Sequence, residues 1–133
     1  MRVIVDTNVF VSGIYFSGPP YQILDAWRSG KIKLVISDTI FEEYKRIGRK
    51  LESYFPAIDF EPFLSLVLDE SDIVIDRGLE EQICSDPDDD KFISCALESG
   101  CKIIVTGDKQ LKKLSGHEEI EIISPRIFVD KYI

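Results

Sequence analysis

The chain has 133 residues, 44% hydrophobic and 30% charged, a size and balance that point to one globular domain over residues 1–133 and exclude a disordered or fibrous chain. No apolar stretch is long enough to span a bilayer, and Asp6 interrupts the apolar N-terminus with no small-residue cleavage site after it, so a cytoplasmic protein without membrane segment or signal peptide is expected. The net charge of −8 argues against a polyanionic partner, but it is local: residues 69–90 hold ten acids against the single base Arg77, or −9, which leaves +1 for the rest.

Cys84, Cys95 and Cys101 form no CxxC pair, and their odd number cannot close a disulfide framework, so reduced thiols are expected. Short β-branched runs at residues 3–5, 33–36, 73–75, 103–105 and 120–123 alternate with helical patterns at 20–29, 39–54, 60–69, 89–98 and 109–114. This alternation predicts an α/β fold of three layers, α/β/α, around a central, mostly parallel five-stranded sheet. Ligands of such sheets bind outside the carboxyl ends of the strands.

The first strand ends on Asp6-Thr7-Asn8, which puts a carboxylate at such an end; an Asx-turn is the alternative role for it. The second strand leads into Ser37 and then a helix, for which Thr39 and Glu42 form a capping box. Ile40, Phe41, Tyr44, Ile47 and Leu51 make its apolar stripe. Glu42 projects opposite that stripe, whereas Glu43 lies on its edge, aimed towards the strand ends. Arg46 and Lys50 share the flank of Glu43, where they can meet phosphate oxygens or pair with Glu43 as surface ions.

The stretch Ser85-Asp86-Pro87-Asp88-Asp89-Asp90-Lys91-Phe92-Ile93 signals a turn and a helix start. With Phe92, Ile93, Ala96 and Leu97 as the buried stripe, Asp89 faces inward, and Asp90 is turned towards the edge as the alternative acid. An inward carboxylate needs hydrogen bonds or a cation, and one cap explains one Asp rather than four in five positions. The fourth strand ends at Thr106, and Gly107 leads to Asp108, a helix cap when taken alone. Asp6, Glu43, Asp89 and Asp108 are thus sent to one end of one sheet, an oxygen-only set that suits Mg²⁺ or Mn²⁺. The lone histidine, His117, stands in a distant polar loop, which disfavours zinc and histidine-based triads.

Val5-Asp6-Thr7-Asn8-Val9, Ser37 with Glu43, Asp86-Pro87-Asp88-Asp89-Asp90-Lys91-Phe92 and Val105-Thr106-Gly107-Asp108 together resemble the PIN domain. The likeness covers essentially the whole chain and is greatest to the small bacterial and archaeal VapC-like subgroup of toxin components. The resemblance implies a Mg²⁺- or Mn²⁺-dependent ribonuclease that hydrolyses phosphodiesters of single-stranded RNA. It implies Asp6, Glu43, Asp89 and Asp108 as the catalytic acids, with Asp6, Asp89 and Asp108 holding metal. Asn8 and Thr106 match supporting polar positions, with Asp90 beside them, and Arg46 and Lys50 are placed to hold the RNA backbone. The subgroup further implies an antitoxin that occludes the site and self-association as a homodimer. Two rival readings are a weakly active nucleic-acid-binding module of the same fold and a phosphatase-type hydrolase with Asp6 as nucleophile. The phosphatase pattern wants a second Asp two residues on, where this chain has Asn8.

Overall fold

The computed structural model describes residues 1–133. Five strands, β1 (Arg2–Val5), β2 (Lys33–Ser37), β3 (Ser71–Val74), β4 (Ile103–Val105) and β5 (Glu121–Ile123), form one sheet in the order β3-β2-β1-β4-β5. Every neighbouring pair is parallel. Seven helices flank it: α1 (Thr7–Tyr15), α2 (Pro19–Arg28), α3 (Asp38–Glu52), α4 (Glu61–Glu70), α5 (Asp90–Ser99), α6 (Lys109–Lys112) and α7 (Pro125–Tyr132). The result is the three-layer α/β/α arrangement expected from the alternation of signals. Val3, Ile4 and Val5 of β1 and Leu34, Val35 and Ile36 of β2 are all fully buried. That explains why these strands read as unbroken apolar runs rather than alternating ones: both faces of the sheet are covered.

The chain builds outward from β1 to β2 and β3, then crosses back to lay β4 on the other side of β1. The strand order therefore reverses between β1 and β4, the position where open parallel sheets leave a crevice at their carboxyl ends. The Asp6 N–H extends this pairing by donating to the Val105 carbonyl at 2.9 Å. Asp6 and Asp108 consequently flank the crevice from adjacent strands.

Several boundaries differ from the expected ones. β3 spans Ser71–Val74 rather than 73–75, because its ladder with β2 pairs Leu34 with Ser71 and ends at Ser37 with Val74; Ile75 lies beyond it and is exposed. The cap of α3 is Ser37, whose Oγ accepts from the Ile40 N–H at 3.2 Å, not Thr39. Thr39 instead donates to Asp76 Oδ2 at 2.6 Å. Helices α1 and α7 lie outside the expected helical patterns. The β-branched run of α1 conceals its period, although Asp6 caps it. For α7, Ser124 followed by Pro125 is a recognisable start signal, and Ser124 Oγ accepts from the Ile127 N–H at 3.2 Å.

Aromatic packing fixes α3 against α1. The Phe10 and Tyr44 rings stack with centroids 4.1 Å apart, and the buried Tyr44 hydroxyl donates to the Val5 carbonyl. Gly48 of α3 lies under the Phe60 ring, so closely that an added Cβ would sit 1.9 Å from Phe60 Cζ. Phe60 is fully buried, stacked on Tyr15 and edge-on to Phe10, and has no room to retreat. Gly48→Ala is therefore expected to destabilise the fold by about 3 kcal/mol, at the upper end of overpacking costs. The urea midpoint measures this, and an unchanged midpoint would show that Phe60 can move.

Candidate active site

At the carboxyl end of the sheet, a cavity of about 280 Å³ is lined by Asp6, Thr7, Asn8, Glu43, Arg46, Ile47, Asp86, Asp88, Asp89 and Asp108. The elements that deliver the acids are those foreseen. Asp6 caps α1 after β1, and its Oδ1 accepts from the Asn8 N–H at 3.1 Å. Asp108 caps α6 after β4, accepting from the Gln110 N–H at 2.8 Å. Asp89 closes the 3₁₀ turn Pro87–Asp89 that precedes α5. Glu43 comes from the second turn of α3.

Thr106 ties two of these acids together. Its hydroxyl donates to Asp6 Oδ2 and accepts from the Asp108 N–H, the latter at 3.0 Å. Thr106 is fully buried, so its hydroxyl would be orphaned without these bonds. Asp6 is itself only 7% exposed. Glu43 is held from two sides: the Thr7 hydroxyl donates to its Oε1 and the Lys91 ammonium to its Oε2. Lys91 also donates to Asp88 Oδ1 at 3.0 Å, and Arg46 Nη2 stands 3.8 Å from Glu43.

Among the expected residues, Asp6, Asn8, Glu43, Arg46, Asp89 and Asp108 meet at the cavity, with Thr106 directly beneath. Asp90 is turned away from it. Its carboxylate accepts from the Cys84 N–H at 2.7 Å and from the Ile83 N–H at 3.3 Å, pinning the loop before the acidic turn. Lys50 is exposed and does not line the cavity. His117 lies in a separate 3₁₀ turn, and all three cysteines are free and buried. Thr7, Lys91, Asp86 and Asp88 belong to the site without having been singled out. Lys91 sits three residues after Asp88, an ordinary helical pairing, but its contact with Glu43 spans 48 positions and leaves no local trace.

The cavity is electrostatically crowded. Burial pushes the Asp89 carboxyl up to about 7, helped by its hydrogen bond with Asp108 and the charges of Asp108, Asp6 and Asp86. Burial also raises Asp6, and Glu43 and Asp108 add to that rise, against the bonds from Thr106 and Asn8. For Lys91, burial works against its charge, but Glu43 and Asp88 outweigh it and raise its pKa.

No three of these acids are drawn together into a finished cation cage. The donor set nevertheless fits a hard divalent ion: it is built of oxygen alone, and Mg²⁺ binds through one or two carboxylates while keeping several waters. Asp6, Asp89 and Asp108 are the residues that would hold it.

This crowding sets a pH dependence. The folded pKa values of Asp89 and Asp6 lie above the unfolded one, so the native state binds more protons and stability falls as pH rises from about 4 towards 7. The lowered carboxyls, Asp76, Asp88 and Glu121, act at and below their unfolded values of 3.8 and 4.5, beneath most of this window. The metal-free protein is therefore expected to melt at a higher temperature at pH 5 than at pH 8, and Mn²⁺ to stabilise it more at pH 8. A melting temperature that rises with pH in chelator would contradict this.

Comparison with known proteins fits the geometry. The sequence profile of the PIN domain matches residues 2–110, which hold β1 to β4 and all four of the expected acids. The chain belongs to the PIN domain family. PIN domains are in general nucleases that use divalent metal ions. The match is to the PIN domain as a whole and does not single out the VapC-like subgroup. The uncharacterized protein MJ1680 of Methanocaldococcus jannaschii is 29% identical to this PIN protein over 143 residues, covering 99% of this chain and 92% of that one. No helix of this PIN domain is long and apolar enough to cross a membrane.

Proposed function

We propose that this PIN domain is an endoribonuclease that hydrolyses single-stranded RNA with the help of Mg²⁺ or Mn²⁺, leaving 5′-phosphate and 3′-hydroxyl ends. One observation carries the reading: Asp6, Glu43, Asp89 and Asp108 line a single cavity at the point where the strand order reverses. When bound, the metal supplies a lowered water pKa and neutralises charge on the phosphodiester. The protein's own part is positional. Asp6, locked by Thr106 and the Asn8 N–H, and Asp108, capping α6, offer oxygens from adjacent strand ends. Lys91 and Thr7 hold Glu43 at the rim. Arg46, 67% exposed in its side chain, is free to swing onto a phosphate.

The toxin role is part of the same proposal and rests on the motif likeness: a small antitoxin would cover the cavity, and the chain would act as a homodimer. Growth arrest on expression, relieved by a co-expressed neighbouring gene product, tests it. The nuclease reading is tested by incubating end-labelled RNA with the protein in Mg²⁺, in Mn²⁺ and in chelator. Cleavage that requires metal and leaves 5′-phosphate ends is expected. Calorimetric Mn²⁺ binding without any turnover would instead favour a binding module of the same fold.

A further inference from the structure

Away from the acidic cavity, the chain leaves a group of aromatic rings in water. Phe16 is 50% exposed, Tyr54 70% and Phe55 39%. The Phe16 ring stands edge-on to Phe55 with centroids 5.5 Å apart, and Phe55 also meets Tyr15 at 5.7 Å. Burial does not account for placing them together, because each could have packed inward or been polar.

Their position relative to the site is what gives them meaning. Helices α1 and α3 both start at the cavity, where Thr7 meets Glu43, and both end at the aromatic group, where Phe16 meets Phe55. Along α3, Arg46, Lys50 and Tyr54 follow Glu43 at three, seven and eleven residues, so at 100° per residue they fall near one face. Tyr54 is just past the helix end but continues its last turn, its N–H donating to the Leu51 carbonyl at 2.9 Å. The distance from Glu43 to Tyr54 along the helix is roughly 16 Å. Helix α3 also carries Lys45 and Arg49, so it holds four bases, against four acids of its own, Asp38, Glu42, Glu43 and Glu52.

We propose that Phe16, Tyr54 and Phe55 form a stacking platform for bases of a single RNA strand whose phosphates run along the Arg46–Lys50 face of α3 towards the acidic cavity. The proposal rests on the nuclease reading for its direction, and adds how substrate is held away from the reacting phosphate. A cationic track with aromatic rings beside it is the arrangement that binds single strands without reading sequence, since every base offers a face to stack. A duplex keeps its bases stacked on each other and gains nothing from the rings. Stacking on uncharged rings also lets a protein of net negative charge hold a polyanion with only Arg46 and Lys50 on the path.

The test uses the full chain carrying Asp6→Asn to prevent turnover, with Mn²⁺ present, and a fluorescein-labelled single-stranded oligoribonucleotide of about a dozen nucleotides. Phe16→Ser and Tyr54→Ser alter exposed rings and are expected to leave the melting temperature nearly unchanged. Each should weaken RNA binding by about tenfold, as read by anisotropy. Ile127→Ser, an equally exposed apolar residue of α7, should not. In the otherwise wild-type protein, the same platform variants should raise KM for the long RNA while leaving hydrolysis of the short diester bis(p-nitrophenyl) phosphate as it was. Unchanged RNA affinity in both platform variants overturns the proposal, as does a change confined to the oligomeric state, which would mark the patch as a protein contact. No hydrolysis of either substrate by the wild type would defeat the nuclease reading; the anisotropy result would still decide the platform.

Discussion

Asp6→Asn is expected to abolish metal-dependent RNA cleavage while leaving the fold intact. Asn is as good an N-cap as Asp, so its Oδ1 can still accept from the Asn8 N–H, and the Thr106 hydroxyl can reorient to accept from the new amide. What disappears is the buried negative charge. Loss of an outer partner in a metal site typically costs 10–100-fold, so loss of a ligand at the centre should cost more than about 100-fold in kcat. Removing the charge also relieves the repulsion from Glu43 and Asp108. The metal-free variant should therefore melt at or above the wild-type temperature at pH 8 and gain less from Mn²⁺. Undiminished cleavage would remove Asp6 from the chemistry, and a large loss of stability would show its role to be structural.

The second large effect is at Lys91. Its side chain is 13% exposed and that of Glu43 11%, so their contact is nearly buried, whereas Asp88 on the other side stands 65% exposed. Breaking a buried pair by removing one partner leaves an uncompensated charge. Lys91→Met should therefore destabilise the protein by about 3 kcal/mol, the lower end of the buried-pair range because Asp88 and Arg46 remain in water. Adding Glu43→Gln to that variant should recover most of the loss, because the amide can still accept from Thr7 and no naked charge is left. Equilibrium unfolding of the two single variants and the double gives the coupling directly. Additive effects would mean that Lys91 and Glu43 do not act as a pair.

The α/β/α arrangement and the convergence of the acids were legible because they depend on local signals. Apolar runs of strand length alternate with amphipathic helices, and a parallel sheet dictates that everything following a strand lies at one end. The preference for Asp89 over Asp90 rests on which of them shares a helical face with Phe92 and Ile93; the structure brings Asp89 to the cavity from the 3₁₀ turn before α5, not from the helix itself. Asp90 proved to be turned onto the Ile83 and Cys84 amides, a loop contact that no periodicity encodes. The same holds for the sequestering of Glu43 by Lys91 and Thr7, where partners distant in sequence meet only once the sheet is assembled. Thr39 misled because a capping box is a pattern of residue types; Ser37, two residues earlier at the strand end, satisfies the same amide, and Thr39 is drawn off by Asp76. Helix α1 was hidden because Val9, Phe10 and Val11 suit either element, and only its packing on α2 and α3 decides.

The proposed nuclease chemistry requires Asp6, Asp89 and Asp108 to hold a divalent cation between them. The most direct measurement is a crystal structure of the protein soaked in Mn²⁺, examined for anomalous scattering. A peak within coordination distance of Asp6, Asp89 and Asp108 is the expected result. Full occupancy of Mn²⁺ elsewhere on the molecule, with the cavity holding only water, would contradict it.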